Sequence, residues 1–164
     1  MHALYRIFAV LALIVACVTA ETILTAEKHV VSFNNKCKHG IPTLISQKGQ
    51  VLSTGGSYTS NGPLIGAIAY LQTGSCGLNG DHCTTVETTL KNPTCPGCGS
   101  STDLTLIPPH TFSTSTGFSY KNGCDGQGHT CNNQNCPYAF RHPMDTWVQV
   151  ACQVDNVNLV ITFC

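Results

Sequence analysis

The sequence predicts an all-β domain, a sandwich or a barrel, held together by disulfides. Eight to ten short runs of alternating or β-branched residues recur at regular spacing, separated by clusters of Gly, Pro, Asn, Ser and Thr. Ten cysteines remain once an N-terminal leader is set aside, and an even number in a secreted chain reads as five disulfides. No stretch carries a convincing long helical period.

The leader covers residues 1–20. His2 and Arg6 make a weakly basic start, residues 7–18 form an apolar run too short for a bilayer span, and Val18-Thr19-Ala20 is a small-residue cleavage site. Removing 20 of 164 residues leaves 144, the size of one domain over 21–164. Only Cys17 of the eleven cysteines leaves with the leader. No later segment is apolar enough to cross a membrane, so the expected location is secreted and extracellular. Eight Lys/Arg balance eight Asp/Glu, and the loss of Arg6 leaves the mature chain one unit acidic. Without a basic patch, neither nucleic acid nor an anionic membrane is an expected partner. A surface low in charge and rich in Ser, Thr, Gly and Asn suits contact with carbohydrate, and a monomer is expected.

The elements follow in order. Residues 21–28 have no pattern and read as a loose arm, and residues 29–34 (HVVSFN) make the first strand. Residues 43–47 and 50–53 flank Lys48-Gly49 as a hairpin. Residues 54–63 are dense in turn formers. Residues 64–71 (LIGAIAYL) read as a buried strand because they are short, β-branched and bounded by turns. Residues 76–83 form a tight loop closed by its own disulfide, and residues 84–91 (TTVETTLK) a strand of high β-propensity. Cys95-Pro-Gly-Cys98 has zinc or redox spacing, but no second pair accompanies it, so a small disulfide loop is expected rather than a metal.

Residues 103–107 alternate and stop at Pro108-Pro109. Residues 111–120 are rich in Ser and Thr, with Phe112 and Phe118 as core anchors. Residues 124–136 are too polar for a core and read as a disulfide-held loop, and residues 137–140 allow one helical turn. Residues 146–152 and 158–163 read as a hairpin joined by Asp155-Asn156. Leu159, Ile161 and Phe163 share one face, and Cys164 pins the strand it follows. Trp147, mid-strand, is expected in the core.

Chemical motifs are few. There is no Gly-x-Ser-x-Gly, His-Glu-x-x-His or phosphate-cradling loop, and neither a metal nor another cofactor is expected. His82, His110, His129 and His142 fall in loops and read as solvated. A copper site on an N-terminal His29 would need cleavage after Lys28, not after Ala20. Tyr58, Tyr70, Tyr120, Tyr138 and Trp147 offer faces for sugar stacking. The Asn92-Pro-Thr triplet is no glycosylation acceptor, whereas the Ser/Thr runs at 100–105 and 111–119 suit O-glycosylation.

The C-terminal block carries a family pattern. Cys136-Pro-Tyr-Ala-Phe140, the strand ending at Cys152 and the closing Val160-Ile-Thr-Phe-Cys164 resemble the end of thaumatin-like proteins. The first strand with Cys37, the Gly-rich turn Leu52-Ser-Thr-Gly-Gly-Ser57, the strand Thr84-Thr-Val-Glu-Thr-Thr-Leu90, Asp103-Leu-Thr-Leu-Ile-Pro108 and Gly117-Phe118 extend the resemblance over most of 29–164. The closest match is to small secreted fungal forms, and a β-sandwich is implied. The resemblance also implies bridges Cys37–Cys164, Cys124–Cys152, Cys131–Cys136 and Cys76–Cys83, leaving Cys95–Cys98.

Thaumatin-like proteins carry an acidic cleft of one Arg, one Glu and three Asp, linked to β-1,3-glucan. Glu87 matches the cleft Glu and Asp103 one cleft Asp, while Tyr138 stands where Asp is usual in Cys-Pro-Asp-Ala-Phe. The cleft Arg has no match, and the second domain that walls the cleft is compressed into residues 124–136. The implied function is binding of β-glucan or another wall polysaccharide through a shallow polar face at Glu87, Asp103 and Tyr138. The alternative is a secreted effector or wall protein that binds a protein partner and no carbohydrate. A third reading, weak β-1,3-glucanase activity, requires Glu87 and Asp103 to form a catalytic pair, about 5–9.5 Å apart. The bland reading of both is solvated strand residues or hydrogen-bond acceptors.

Overall fold

Alternation of inward and outward side chains sorts the chain into two facing sheets. The computed structural model describes residues 26–164. The expected signal peptide over 1–20, its cleavage site and residues 21–25 of the arm lie outside the described residues. The first strands are β1 (Lys28–Asn35), β2 (Ile41–Ile45), β3 (Val51–Thr54), β4 (Tyr58–Asn61), β5 (Leu64–Gln72) and β6 (Thr85–Leu90). They are followed by β7 (Ser100–Thr105), β8 (Thr116–Lys121), β9 (Gly128–Cys131), β10 (Ala139–Phe140), β11 (Val150–Cys152) and β12 (Asn158–Phe163). One sheet has the order β4-β1-β12-β8-β9. The other has the order β10-β7-β6-β5-β2-β3, with β11 also paired to β7. The chain is an all-β, disulfide-rich sandwich.

The core lies between the sheets. β12 contributes Leu159, Ile161 and Phe163, β8 contributes Phe118 and Tyr120, and β1 contributes Val31, all buried. Facing them are Leu44, Ala69, Leu71, Val86, Leu90 and Leu104 of the other sheet. Each buried Leu or Ile stabilises the fold by about 1.5–3 kcal/mol relative to leaving it exposed. One polar chain crosses this core. The Thr88 and Thr102 hydroxyls are 2.6 Å apart, and Tyr120 Oη is 3.0 Å from Thr102 Oγ1 and 2.8 Å from the Val150 carbonyl oxygen. That carbonyl only accepts, so Tyr120 donates to it and the two threonines pass their protons toward Tyr120. Burial pushes the Tyr120 hydroxyl up to about 12.

Five disulfides join the elements: Cys37–Cys164, Cys76–Cys83, Cys95–Cys98, Cys124–Cys152 and Cys131–Cys136. Cys37–Cys164, Cys76–Cys83, Cys124–Cys152 and Cys131–Cys136 are the pairs that the thaumatin-like resemblance implies, and Cys95–Cys98 is the pair left over. The first closes a loop with a sequence separation of 127, between the end of β1 and the residue after β12. These strands already pair in parallel, Val31 with Leu159 through Asn35 with Phe163. Disulfides at this density belong to an oxidising compartment and are consistent with an extracellular location. Among the described residues no helix is long and apolar enough to cross a membrane.

Several elements differ from expectation. The last two strands are not a hairpin: β11 pairs with β7 in one sheet and β12 with β1 and β8 in the other. The Asp155-Asn156 turn therefore carries the chain from one sheet to the other, and Asn156 takes a φ of 56° there. Trp147 is 74% exposed on a single 3-10 turn, Thr146–Val148, rather than buried mid-strand. Two stretches expected as loops contain edge strands, β4 within 54–63 and β9 within 124–136. An edge strand needs hydrogen bonds on only one side and little hydrophobic burial, so its sequence looks like a loop. At β9, Gly128 lies so close to the Phe118 carbonyl that no side chain would fit. Residues 137–140 form no helical turn. Ala139 and Phe140 pair with Leu104 and Thr105 instead.

Candidate functional site

The site is built by two adjacent inner strands of the larger sheet, β6 and β7. β6 turns Val86, Thr88 and Leu90 into the sandwich, which leaves Thr85, Glu87 and Thr89 on the outer face. β7 turns Thr102 and Leu104 inward and Asp103 outward. The register sets Glu87 directly opposite Asp103. Directly opposed residues share a face, with Cβ atoms about 4.5–5.5 Å apart. On its other side Glu87 stands opposite Ile68 of β5.

Asp103 is unusual for a carboxylic acid on a sheet face, because it is only 5% exposed. Its Oδ1 is buried with no hydrogen-bond partner among the described residues. Burial first, and then the charge of Glu87, raise its pKa from 3.8 to about 7; the Gln149 amide opposes the shift, while a hydrogen bond with Glu87 that favours the acid form adds to it. Gln149 reaches this place because it immediately precedes β11, whose Val150 pairs with Thr102 next to Asp103.

The pair sits in an open groove. One cavity of about 230 Å³ is lined by Gly66, Ile68, Glu87, Ser101, Asp103 and Gln149. A second, of about 240 Å³, shares Gly66, Ile68 and Glu87 and continues to Gln47, Asn79 and His110. The groove passes over an irregularity in β5, where the register shifts between Leu64 and Ala67 and Gly66 takes a φ of 57°. The bulge inserts an extra residue here, and Gly66 within it carries no side chain, which leaves the face open beside Glu87. The neighbouring wall is the Cys76–Cys83 loop, packed on Tyr70 and Ile45, and the Tyr70 hydroxyl donates to the Leu78 carbonyl at 3.0 Å.

The other candidate residues scatter. Tyr138 stacks on His129, with ring centroids 4.7 Å apart, and does not line the groove. Tyr70 and Tyr120 are fully buried and offer no face to a sugar. Trp147, two residues before Gln149, presents its indole to solvent. His29 is buried within β1, its ring nitrogens taken by the Val157 carbonyl and Glu27, so it serves the fold. His110 is not a free loop histidine, because its Nδ1 donates to the Gly80 carbonyl at 3.0 Å while its ring lines the groove. Gln149, Gly66 and His110 are site residues that the sequence pattern did not single out. Glu87 and Asp103 are singled out by their match to the cleft acids of thaumatin-like proteins, and the register shows that they also share the outer face of adjacent strands.

No family model matches the chain, and no curated protein does. Among solved structures, the protein elicitor MoHrip2 from Magnaporthe oryzae is similar to it, at 14% sequence identity and a TM-score of 0.48, over 85% of this chain and 99% of that one.

Chemically, the groove pairs a buried carboxyl with a more exposed one. With its pKa raised to about 7, Asp103 can hold its proton near neutral pH where an ordinary carboxyl cannot. It can donate a hydrogen bond in that form and accept in the other. Sugar hydroxyls, which do both, are matched by such a pair together with the Gln149 and Gln47 amides.

Proposed function

We propose that this chain is a secreted thaumatin-like domain that binds a wall polysaccharide along the outer face of the larger sheet. The observation that carries the reading is the opposition of Glu87 and Asp103 on the floor of an open, polar groove. Carbohydrate sites place a few convergent polar groups beside an exposed aromatic ring, and Trp147 lies on the segment that delivers Gln149 to the groove. The groove is shallow, in keeping with a polymer that lies across a surface rather than a small molecule that is enclosed. The hydrogen bond between the two carboxyls brings them closer than the roughly 5–5.5 Å of a retaining glycosidase pair, which favours binding over hydrolysis.

A second reading has its own observation. Met144 is 79% exposed on the same 141–149 segment as Trp147. Two large apolar side chains on one exposed segment suit a protein partner, as in an effector without carbohydrate affinity.

Retention of the purified protein on insoluble β-1,3-glucan, chitin and cellulose tests both. The polysaccharide reading expects retention on at least one of them, lost in the Glu87→Gln/Asp103→Asn protein and reduced in Trp147→Ala. Absence of retention on any of the three favours the protein partner. Release of reducing sugar that Asp103→Asn abolishes would add hydrolysis to binding.

A further inference from the structure

Beyond the acid pair, the structure has a recess of different character. It has a volume of about 270 Å³ and is lined by His110, Thr111, Phe112, Gln134, Asn135 and Arg141, among others. His110 also lines the cavity that contains Glu87, so the two adjoin.

Arg141 directly follows β10, and its Nη2 is buried without a hydrogen-bond partner. No carboxylate pairs with its guanidinium among the described residues. The nearest acid along the chain, Asp145, accepts the backbone N–H groups of Arg141 and His142 at 3.0 Å each, stands 3.7 Å from the His142 ring, and does not line the recess. Arg141 is partly exposed, but a guanidinium stays charged in proteins, and leaving its buried nitrogen without an acceptor is costly. No acid lies among the polar side chains around it: the Gln134 and Asn135 amides and the Thr111 hydroxyl are exposed and can each donate. Such a set is complementary to a carboxylate, which accepts on both oxygens and matches the planar fork of Arg.

We propose that this recess binds the carboxylate of a uronic acid, so that the polysaccharide crossing Glu87 and Asp103 is one with acidic sugars among neutral ones. The assignment rests on the polysaccharide reading above and adds a register to it. A neutral sugar lies over the acid pair, where a second carboxylate would be repelled, and the acidic sugar lies at Arg141.

The test is calorimetric titration of the protein with a xylo-oligosaccharide bearing one glucuronic acid, and with the same oligosaccharide after reduction of that carboxyl to an alcohol. The acidic ligand should bind about tenfold or more tightly, the effect of a lost charge-assisted bond. Arg141→Gln should remove the difference, bringing the acidic ligand's affinity down to that of the neutral one. The comparison of ligands on the parent protein needs no variant, so it stands even if Arg141→Gln folds poorly. Equal affinity for the two ligands would overturn the acidic-sugar assignment and leave the polysaccharide reading intact. A preference for the acidic ligand that survives in folded Arg141→Gln would also overturn it, by moving the carboxylate elsewhere. Binding of neither ligand, with no retention on any wall polysaccharide, would overturn both.

Discussion

His29 Nδ1 lies 2.6 Å from the carbonyl oxygen of Val157, a residue 128 positions along the chain. The carbonyl only accepts, so the ring donates. The other ring nitrogen lies 3.1 Å from Glu27 Oε1, which also accepts the backbone N–H of Asn92 at 2.7 Å. One fully buried imidazole thus ties the start of β1 to the approach to β12 and, through Glu27, to the loop after β6.

Replacing His29 by Leu should destabilise the fold by about 2–4 kcal/mol, because it strands the Val157 carbonyl and leaves Glu27 half-satisfied. Urea unfolding measures this. A loss within 0.5 kcal/mol, roughly the scatter for unimportant surface changes, would show that the contact does not matter.

Asp103 makes stability depend on pH. Its folded pKa of about 7 lies above the unfolded 3.8. Below the unfolded value both states hold the proton and the group costs nothing. As pH rises toward 7 the unfolded chain ionises first, so stability falls, and above 7 the loss is constant at about 4 kcal/mol. Asp103→Asn should therefore be more stable than the parent at pH 8, by up to roughly 4 kcal/mol, with the gain shrinking toward zero near pH 4. Thermal melts of both proteins across that range decide it. Parallel curves would mean that Asp103 does not hold its proton in the folded state.

The same pair governs the proposed binding. Glu87→Gln/Asp103→Asn should weaken retention on the preferred polysaccharide by roughly 1–3 kcal/mol, the value of charge-assisted hydrogen bonds. A folded double variant with parental affinity would place the ligand elsewhere.

Trp147→Ala separates function from stability. With the indole largely in solvent, the change should move unfolding by less than about 0.5 kcal/mol. Retention should nonetheless fall, because a stacking face is lost. A large drop in melting temperature would contradict the exposed placement.

The bridges should differ in importance. Cys37→Ser or Cys164→Ser opens a loop with a separation of 127, worth about 4–5 kcal/mol on chain-entropy arguments. Opening Cys95–Cys98, with a separation of 3, costs about 2 kcal/mol or less. Secretion yield and melting temperature should fall sharply in the first case and little in the second.

What the sequence made legible follows the physics of burial. β12 and β6 were readable because one face of each is packed, which forces Leu159, Ile161 and Phe163, or Val86 and Leu90, into alternation. Glu87 and Asp103 are named by the thaumatin-like resemblance rather than by that pattern. The partner of β11 was not readable. A turn at Asp155-Asn156 has the same local chemistry whether it closes a hairpin or crosses between sheets, and the deciding contact is distant: the Asn156 backbone N–H donates to Asn92 Oδ1 at 2.6 Å. The position of Gln149 beside Asp103 depends on that pairing, so it was hidden too. Trp147 was misread because alternation alone cannot tell a strand from the irregular segment that precedes one.

The bond between Cys37 and Cys164 also decides how the domain carries force. A pull applied at Lys28 and Cys164 runs along β1 to Cys37 and crosses to Cys164 through sulfur, because the covalent path is shorter than any route through the sheets. The other strands, and the groove on the far sheet, lie outside that path. A chain held at those two points would keep the groove face at rest while the load passes by.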